Sequence, residues 1–167
     1  MLRRGILMKH KFITIEGNIG AGKTTLANLL AERLNARLIL EEFADNPFLP
    51  KFYEHPEQYA FPLELFFMAE RYKQLKELIH AQDLFSSVTL SDYLFTKCLL
   101  FAKVTLPEDE YKLYQRLFDI MYQHLLQPDL LIYLHAPVEK LQQNIRKRNR
   151  PYEQNIPDNY LFNIQET

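Results

Sequence analysis

The stretch GNIGAGKTT, residues 17–25, constrains the fold of this chain more than any other. It fits the spacing G-x-x-x-x-G-K-[ST], with Gly17, Gly22, Lys23 and Thr24 at the fixed places and Gly20 as an extra glycine inside. In such a loop successive main-chain N–H groups turn inward around an anion, and a Cβ at the glycine positions would obstruct them. Asn18, Ala21 and Thr25 complete the segment expected to surround phosphate. Lys23 brings a point charge to the outer phosphates, and the Thr24 hydroxyl is a candidate Mg²⁺ ligand. The flanks agree. KFITIE (11–16) is a short β-branched, apolar run that reads as a buried strand, and KTTLANLLAERL (23–34) carries Leu26, Leu29, Leu30 and Leu34 at helical spacing. The loop therefore joins a strand to a helix and aims the helix N-terminus at the anion.

The rest of the composition sets limits. A chain of 167 residues is expected to form one domain, with residues 1–9 as a frayed leader. A net charge of −1 argues against a general binder of nucleic acid or anionic membrane. Cys98 stands alone, so no internal disulfide can form, and a reducing cytoplasm fits. No apolar run approaches membrane-spanning length.

Strand and helix patterns alternate along the chain. ARLILEE (36–42) reads as a second strand ending at Glu41, and the Pro- and aromatic-rich passage after it as short turns. A long helix is predicted over 62–81, a third strand over 86–92 and a buried helix over 93–103. A further helix is predicted over 107–127, with Pro and acidic residues in its first turn and a stripe of Tyr111, Tyr114, Phe118, Met121 and Leu125. DLLIYLHA (129–136) reads as a fourth strand and 137–150 as a basic-ended helix that opens a lid region over 137–155. This order implies an α/β fold of the phosphate-loop NTPase type, a parallel sheet of about four strands between helical layers. Ligands of such sheets gather beyond the carboxyl ends of the strands.

Several residues at those ends can do chemistry. Glu41 is the leading general-base candidate, since transfer needs an acceptor hydroxyl activated in line with the γ-phosphate; the alternative is a solvated loop carboxylate. Asp92 closes the third strand as a candidate Mg²⁺ ligand beside Thr24, or as a helix cap in competition with Ser91. Glu64, Phe67 and Arg71 share one face of the long helix and could read a planar heterocycle, or form an ordinary charge pair beside a core ring. Arg146, Arg148 and Arg150 crowd one helix end, where they answer the helix dipole or neutralise transferring phosphate. The five histidines show no metal-ligand spacing.

FITIEGNIGAGKTTLANLLAERL, EEFADNPFLPKFY, YAFPLELFFMAERYKQL and RKRNRPYEQNIP, taken together and in this order, resemble the deoxyribonucleoside kinases, especially the bacterial deoxyadenosine/deoxyguanosine type. The resemblance covers about residues 10 to 165. It implies ATP-dependent phosphorylation of a deoxyribonucleoside 5′-hydroxyl, purine favoured, with Mg²⁺, in a homodimer built through long helices. It also implies that Glu41 takes the hydroxyl proton, that Tyr53 and Glu153 hold the sugar 3′-hydroxyl, and that Glu64, Phe67 and Arg71 read the base. Arg148 and Arg150, with Arg146 beside them, would contact the donor phosphates, Arg148 and Lys23 serving catalysis. Three departures set the alternatives, a nucleotide-binding or dimerisation module without catalysis and, further off, a thymidylate-type kinase. The family's acidic-Arg pair reads SDYLF here, so a cation aimed at the reacting phosphate is expected to be missing, a loss of a few kcal/mol in the barrier. Glu64 stands where Gln is common. The sequence stops at Thr167, inside the helix after the lid, so the fifth, edge strand with which the family continues is expected to be missing. Asn149, in place of a lid glycine, tolerates left-handed geometry.

Overall fold

The computed structural model describes residues 10–41, 46–80 and 88–167. Its centre is β1 (Phe12–Gly17), buried along its whole length. A strand covered on both faces carries a continuous apolar run, as FITI does. The remaining strands are β2 (Arg37–Ile39), β3 (Thr89–Ser91) and β4 (Leu130–Leu134). They form a four-stranded sheet in the order β2-β3-β1-β4, and every pairing is parallel. All four carboxyl ends therefore open on one edge, where the loops after Gly17, Ile39, Ser91 and Leu134 converge.

Seven helices cover the sheet among the described residues: α1 (Lys23–Leu34), α2 (Leu49–Glu54), α3 (Pro56–His80), α4 (Lys97–Thr105), α5 (Glu108–Tyr122), α6 (Val138–Arg148) and α7 (Asp158–Glu166). Adjacent β1 residues point to opposite layers. Ile13 packs in a cluster with Leu34, Val88 and Leu90, whereas Phe12 enters the larger core with Leu63, Met68, Tyr114 and Phe118. Phe95, Phe118 and Tyr122 form a mutually stacked trio with Phe118 5.1 Å from Phe95 and 5.0 Å from Tyr122, each pair contributing about 1 kcal/mol beyond its buried area. A third cluster, Leu141, Ile145, Ile156 and Leu161, ties α6 to α7. No described helix is long and apolar enough to cross a membrane.

Boundaries depart from the periodicity most in four places. The second strand, predicted to end at Glu41, closes at Ile39, so Glu41 lies in the loop beyond it. The long helix starts at Pro56, six residues before the predicted start, and carries Pro62 inside. Phe52, Ala60 and Leu63 of α2 and α3 share one buried cluster, and this packing outweighs the bond that Pro62 cannot make. The helix predicted from Tyr93 starts at Lys97, because side chains take up the preceding amides: Ser91 Oγ accepts from Tyr93 at 3.2 Å and Glu16 Oε2 from Leu94 at 2.9 Å. The helix predicted to Gln127 stops at Tyr122, although Leu125 beyond it is still buried in the core. The predicted leader, Glu42, and the start of the predicted third strand at 86–87 lie outside the described residues. Asn149 ends α6 at φ 56°, the left-handed conformation its residue type tolerates.

Candidate active site

Two cavities meet above the carboxyl edge of the sheet. The first is a groove lined by residues 20–26 of the phosphate loop and α1, with Leu29, Asn144, Lys147, Arg148 and Arg150. Its floor is fixed by close approach. Gly20 sits at φ 81°, and a Cβ there would meet the Leu141 carbonyl oxygen at 2.7 Å, while its own carbonyl accepts from Asn144 Nδ2 at 2.8 Å. Gly22, at φ 92°, caps α1; a Cβ on it would meet nothing within 4 Å. The loop thus leans one side on α6 and leaves the other open at the helix N-terminus, the geometry of an anion cradle.

Lys23 Nζ donates to the carbonyls of Gly17 (2.9 Å) and Asn18 (3.0 Å), closing the loop on itself. Burial and then the neighbouring Lys97 lower its pKa to about 8, against the opposite pull of Glu16, Glu41 and Asp92. Gly17 and Asn18 line neither cavity; Asn18 is buried and its amide donates to the Leu161 carbonyl at 2.8 Å, anchoring the loop to α7. Arg146 also lines neither cavity and points to solvent, whereas Lys147 lines the groove. Arg146 and Arg148 are two residues apart on α6 and so turned by about 200° from each other, whereas Arg150 lies past the helix end, where left-handed Asn149 redirects the chain.

The second cavity is assembled from distant parts of the chain: Glu41, Leu49, Phe52 and Tyr53, then Leu63, Glu64, Phe67 and Arg71 of α3, Lys97 and Phe101 of α4, and Glu153 and Tyr160. Glu41 lies two residues past β2, its side chain only 17% exposed. Arg71 Nε donates to Glu41 Oε1 at 2.9 Å with a second guanidinium contact beside it, and Lys97 Nζ donates to Oε2 at 3.3 Å. Burial alone would raise the Glu41 carboxyl, but Arg71, Lys97 and Lys23 outweigh it and hold the group well below the usual carboxylate range. Arg71, grouped with Glu64 and Phe67 in the sequence, is thus drawn to Glu41; its remaining nitrogen contacts Cys98 Sγ at 3.0 Å and its guanidinium lies 5.0 Å from the Phe67 ring centre. Asp92 joins the two halves, accepting from the Thr24 hydroxyl through one oxygen and from the Glu41 amide at 2.8 Å through the other.

Glu64 is 3% exposed, and burial raises its carboxyl to about 7. The Thr105 hydroxyl stands 3.1 Å from Glu64 Oε1 and 2.9 Å from the Phe101 carbonyl. One hydroxyl proton serves only one of them, and a neutral Glu64 supplies the other. Tyr53 stacks on Tyr152 at 6.2 Å, and burial raises its hydroxyl so that it stays neutral. Buried Glu153 accepts from both Arg148 and Arg150.

The described residues contain no cluster of three or more His, Cys, Asp or Glu able to hold a metal by themselves. Thr24 and Asp92 offer one hydroxyl and one carboxylate side by side. That pair suits Mg²⁺, which binds one or two protein oxygens and completes its shell with water and phosphate.

A parallel sheet with a phosphate loop at one strand end and a second cavity across from it defines a phosphate-loop kinase. A model of the family "Deoxynucleoside kinase" matches residues 13–167, and the chain belongs to that family. It is similar to the deoxyguanosine kinase of Bacillus subtilis (strain 168), 38% identical over 90% of this chain and 72% of the relative. The deoxyadenosine/deoxycytidine kinase of the same organism is 37% identical over 87% and 69%. In fold it matches deoxyadenosine kinase from M. mycoides with bound dATP, at a TM-score of 0.82 and 23% identity, over 93% of this chain and 80% of that one.

Sequence reasoning passed over Lys97, Glu16, Lys147 and Tyr160. No arginine stands next to Asp92, but Lys97 of α4 brings a cation to Glu41 Oε2 at 3.3 Å. The signal for Lys97 was a lysine in the middle of the apolar run YLFTKCLLFA, since lysine is seldom buried without a partner.

Proposed function

We propose that this chain transfers the γ-phosphoryl group of ATP to the 5′-hydroxyl of a deoxyribonucleoside, preferring a purine. One observation carries the reading: Lys23, Thr24, Arg148 and Arg150 line both cavities, so donor phosphates and an acceptor would meet over the same four side chains. Family membership supports it.

The acceptor base would lie along Phe67 against Glu64, and Tyr53 with Glu153 would hold the sugar 3′-hydroxyl. Glu41, anionic through the neutral range, accepts the 5′-hydroxyl proton as the oxygen bonds to the γ-phosphorus and the bond to the β-phosphate oxygen breaks. A carboxylate held so low is a weak base. That suffices for a loose transition state, in which positioning and charge stabilisation dominate. Thr24 and Asp92 would hold Mg²⁺, which when bound would supply positive charge against the phosphates. Arg148 and Arg150, on a lid formed by α6 and the turn Pro151–Glu153, would stabilise the phosphoryl group in transit. Glu153 accepts from both, so sugar binding and lid position share one carboxylate. A cytoplasmic enzyme forming a homodimer through α4 and α5 completes the proposal. Leu113 and Ile120, exposed on one face of α5, and Leu100 of α4 support the dimer.

Release of ADP from ATP with a panel of deoxynucleosides and their 5′-monophosphates tests the reading. Deoxynucleoside-dependent ADP formation is expected, strongest with deoxyguanosine or deoxyadenosine; silence with every acceptor refutes transfer, and activity with monophosphates alone reassigns the acceptor.

A further inference from the structure

Lys97 is 5% exposed, yet its ammonium is loosely held. Its contacts are one 3.3 Å bond to Glu41 Oε2 and a 3.9 Å approach to Glu16 Oε1, with the Phe101 ring centre 5.3 Å away. Glu16 is committed elsewhere, accepting from the Gly17 and Leu94 amides at 2.9 Å each. A buried ammonium has three protons to place, and these long contacts leave donor capacity directed at the cavity that Lys97 lines. Arg71 differs: three of its nitrogens already contact Glu41 or Cys98. Lys97 also stands close enough to Lys23 to disfavour the charge on Lys23. An anion arriving between them would relieve that repulsion and occupy the spare donors.

We propose that Lys97 is a catalytic residue whose ammonium donates hydrogen bonds to the oxygens of the phosphoryl group as it passes from ATP to the acceptor, while steering the Glu41 carboxylate toward the acceptor hydroxyl. The inference rests on the transfer reading above. It gives Lys97 two neighbours in one step: the proton moves to Glu41 on one side while charge moves onto phosphoryl oxygens on the other, and both groups face Lys97. A purely structural lysine would instead neutralise Glu16 and Glu41 and contribute only to folding.

Lys97→Met and Lys97→Arg separate the two roles. With the Met variant, kcat should fall about a hundredfold, as for loss of one preorganised charge donor, with KM for ATP and deoxynucleoside within about threefold of the parent. Calorimetric affinity for ADP with Mg²⁺, aluminium fluoride and deoxynucleoside, a mimic of the phosphoryl group in transit, should fall in parallel, while affinity for ADP with Mg²⁺ alone holds. Lys97→Arg should recover at least about a tenth of parental kcat, because the guanidinium keeps the charge. If Lys97→Met does not fold, Lys97→Met/Glu16→Gln, which keeps the buried charge balanced, is compared with Glu16→Gln in its place. A variant that turns over like its parent and binds the fluoride complex equally well, or that loses only thermal stability, overturns the assignment of Lys97 alone. A parent that forms no ADP with any deoxynucleoside overturns the transfer reading and this one with it.

Discussion

The two cavities of this protein are built on opposite plans. The phosphate groove is almost wholly local: seven consecutive residues, 20–26, form its main wall, and α6 merely buttresses them. The second cavity collects residues from Ile19 to Tyr160, drawn from the loops after β1, β2 and β3, from α1 to α4, from the end of α6 and the turn after it, and from α7. A local site is specified by backbone geometry and survives as a short motif. A dispersed site is specified by packing, and each of its charges depends on partners far away in the chain. Damage to the groove should therefore weaken every acceptor alike, whereas damage to the acceptor cavity should discriminate.

Glu41→Gln breaks the comparison most sharply. It keeps the side-chain shape and removes the base, so kcat should fall about 10²- to 10⁴-fold while ATP affinity measured by calorimetry persists. An undiminished kcat would remove Glu41 from the mechanism. Lys23→Met, in the groove, should cost about 10²-fold in kcat/KM and do so equally for every deoxynucleoside in a panel; unequal losses would show that the groove also reads the acceptor.

Glu64→Gln should have a smaller effect, visible in its pH dependence. The folded carboxyl is raised to about 7, above its unfolded value, so the native state holds a proton that the unfolded chain releases. Stability is then greatest below the unfolded pKa, declines as pH rises from about 4.5 to about 7, and levels off above. The cost at pH 8 is up to about 3 kcal/mol, and the Gln variant should recover much of it as a higher Tm at pH 8 than at pH 5, relative to the parent. In the parent, a base edge offering two donors should gain over other edges above pH 7, where Glu64 only accepts; in the Gln variant the ratio of kcat/KM values should be flat. The smallest effects compare two adjacent residues on α6: Lys147→Ala should raise KM for ATP several-fold, and Arg146→Ala should leave it within about twofold.

The groove was largely legible in the sequence because its determinants are contiguous. Gly20, Gly22, Lys23 and Thr24 follow from one spacing, and the strand and helix around them follow from two short hydrophobic patterns. The alternation of elements likewise implied a parallel sheet of about four strands, and the four strands all pair in parallel. The second cavity was legible in part: Glu41 stood out as a carboxylate near a strand end, whereas Tyr53 and Glu153 entered only through resemblance. Periodicity put Glu64, Phe67 and Arg71 on one face of α3 but could not show that Arg71 turns to Glu41, thirty positions earlier in the chain. Nor could it show that SDYLF, which lacks an arginine, is followed five residues after Asp92 by a lysine that reaches the same carboxylate.

The sequence by itself determined the phosphate loop, its placement between strand and helix, and the alternation that makes the sheet parallel, because backbone conformation and side-chain period are properties of neighbouring residues. Tertiary structure alone decided which charges meet: Arg71 and Lys97 on Glu41, Thr24 on Asp92, and Arg148 with Arg150 on Glu153. Electrostatic energy depends on distance through space and on burial, and neither is fixed until helices from separate parts of the chain have packed against the sheet.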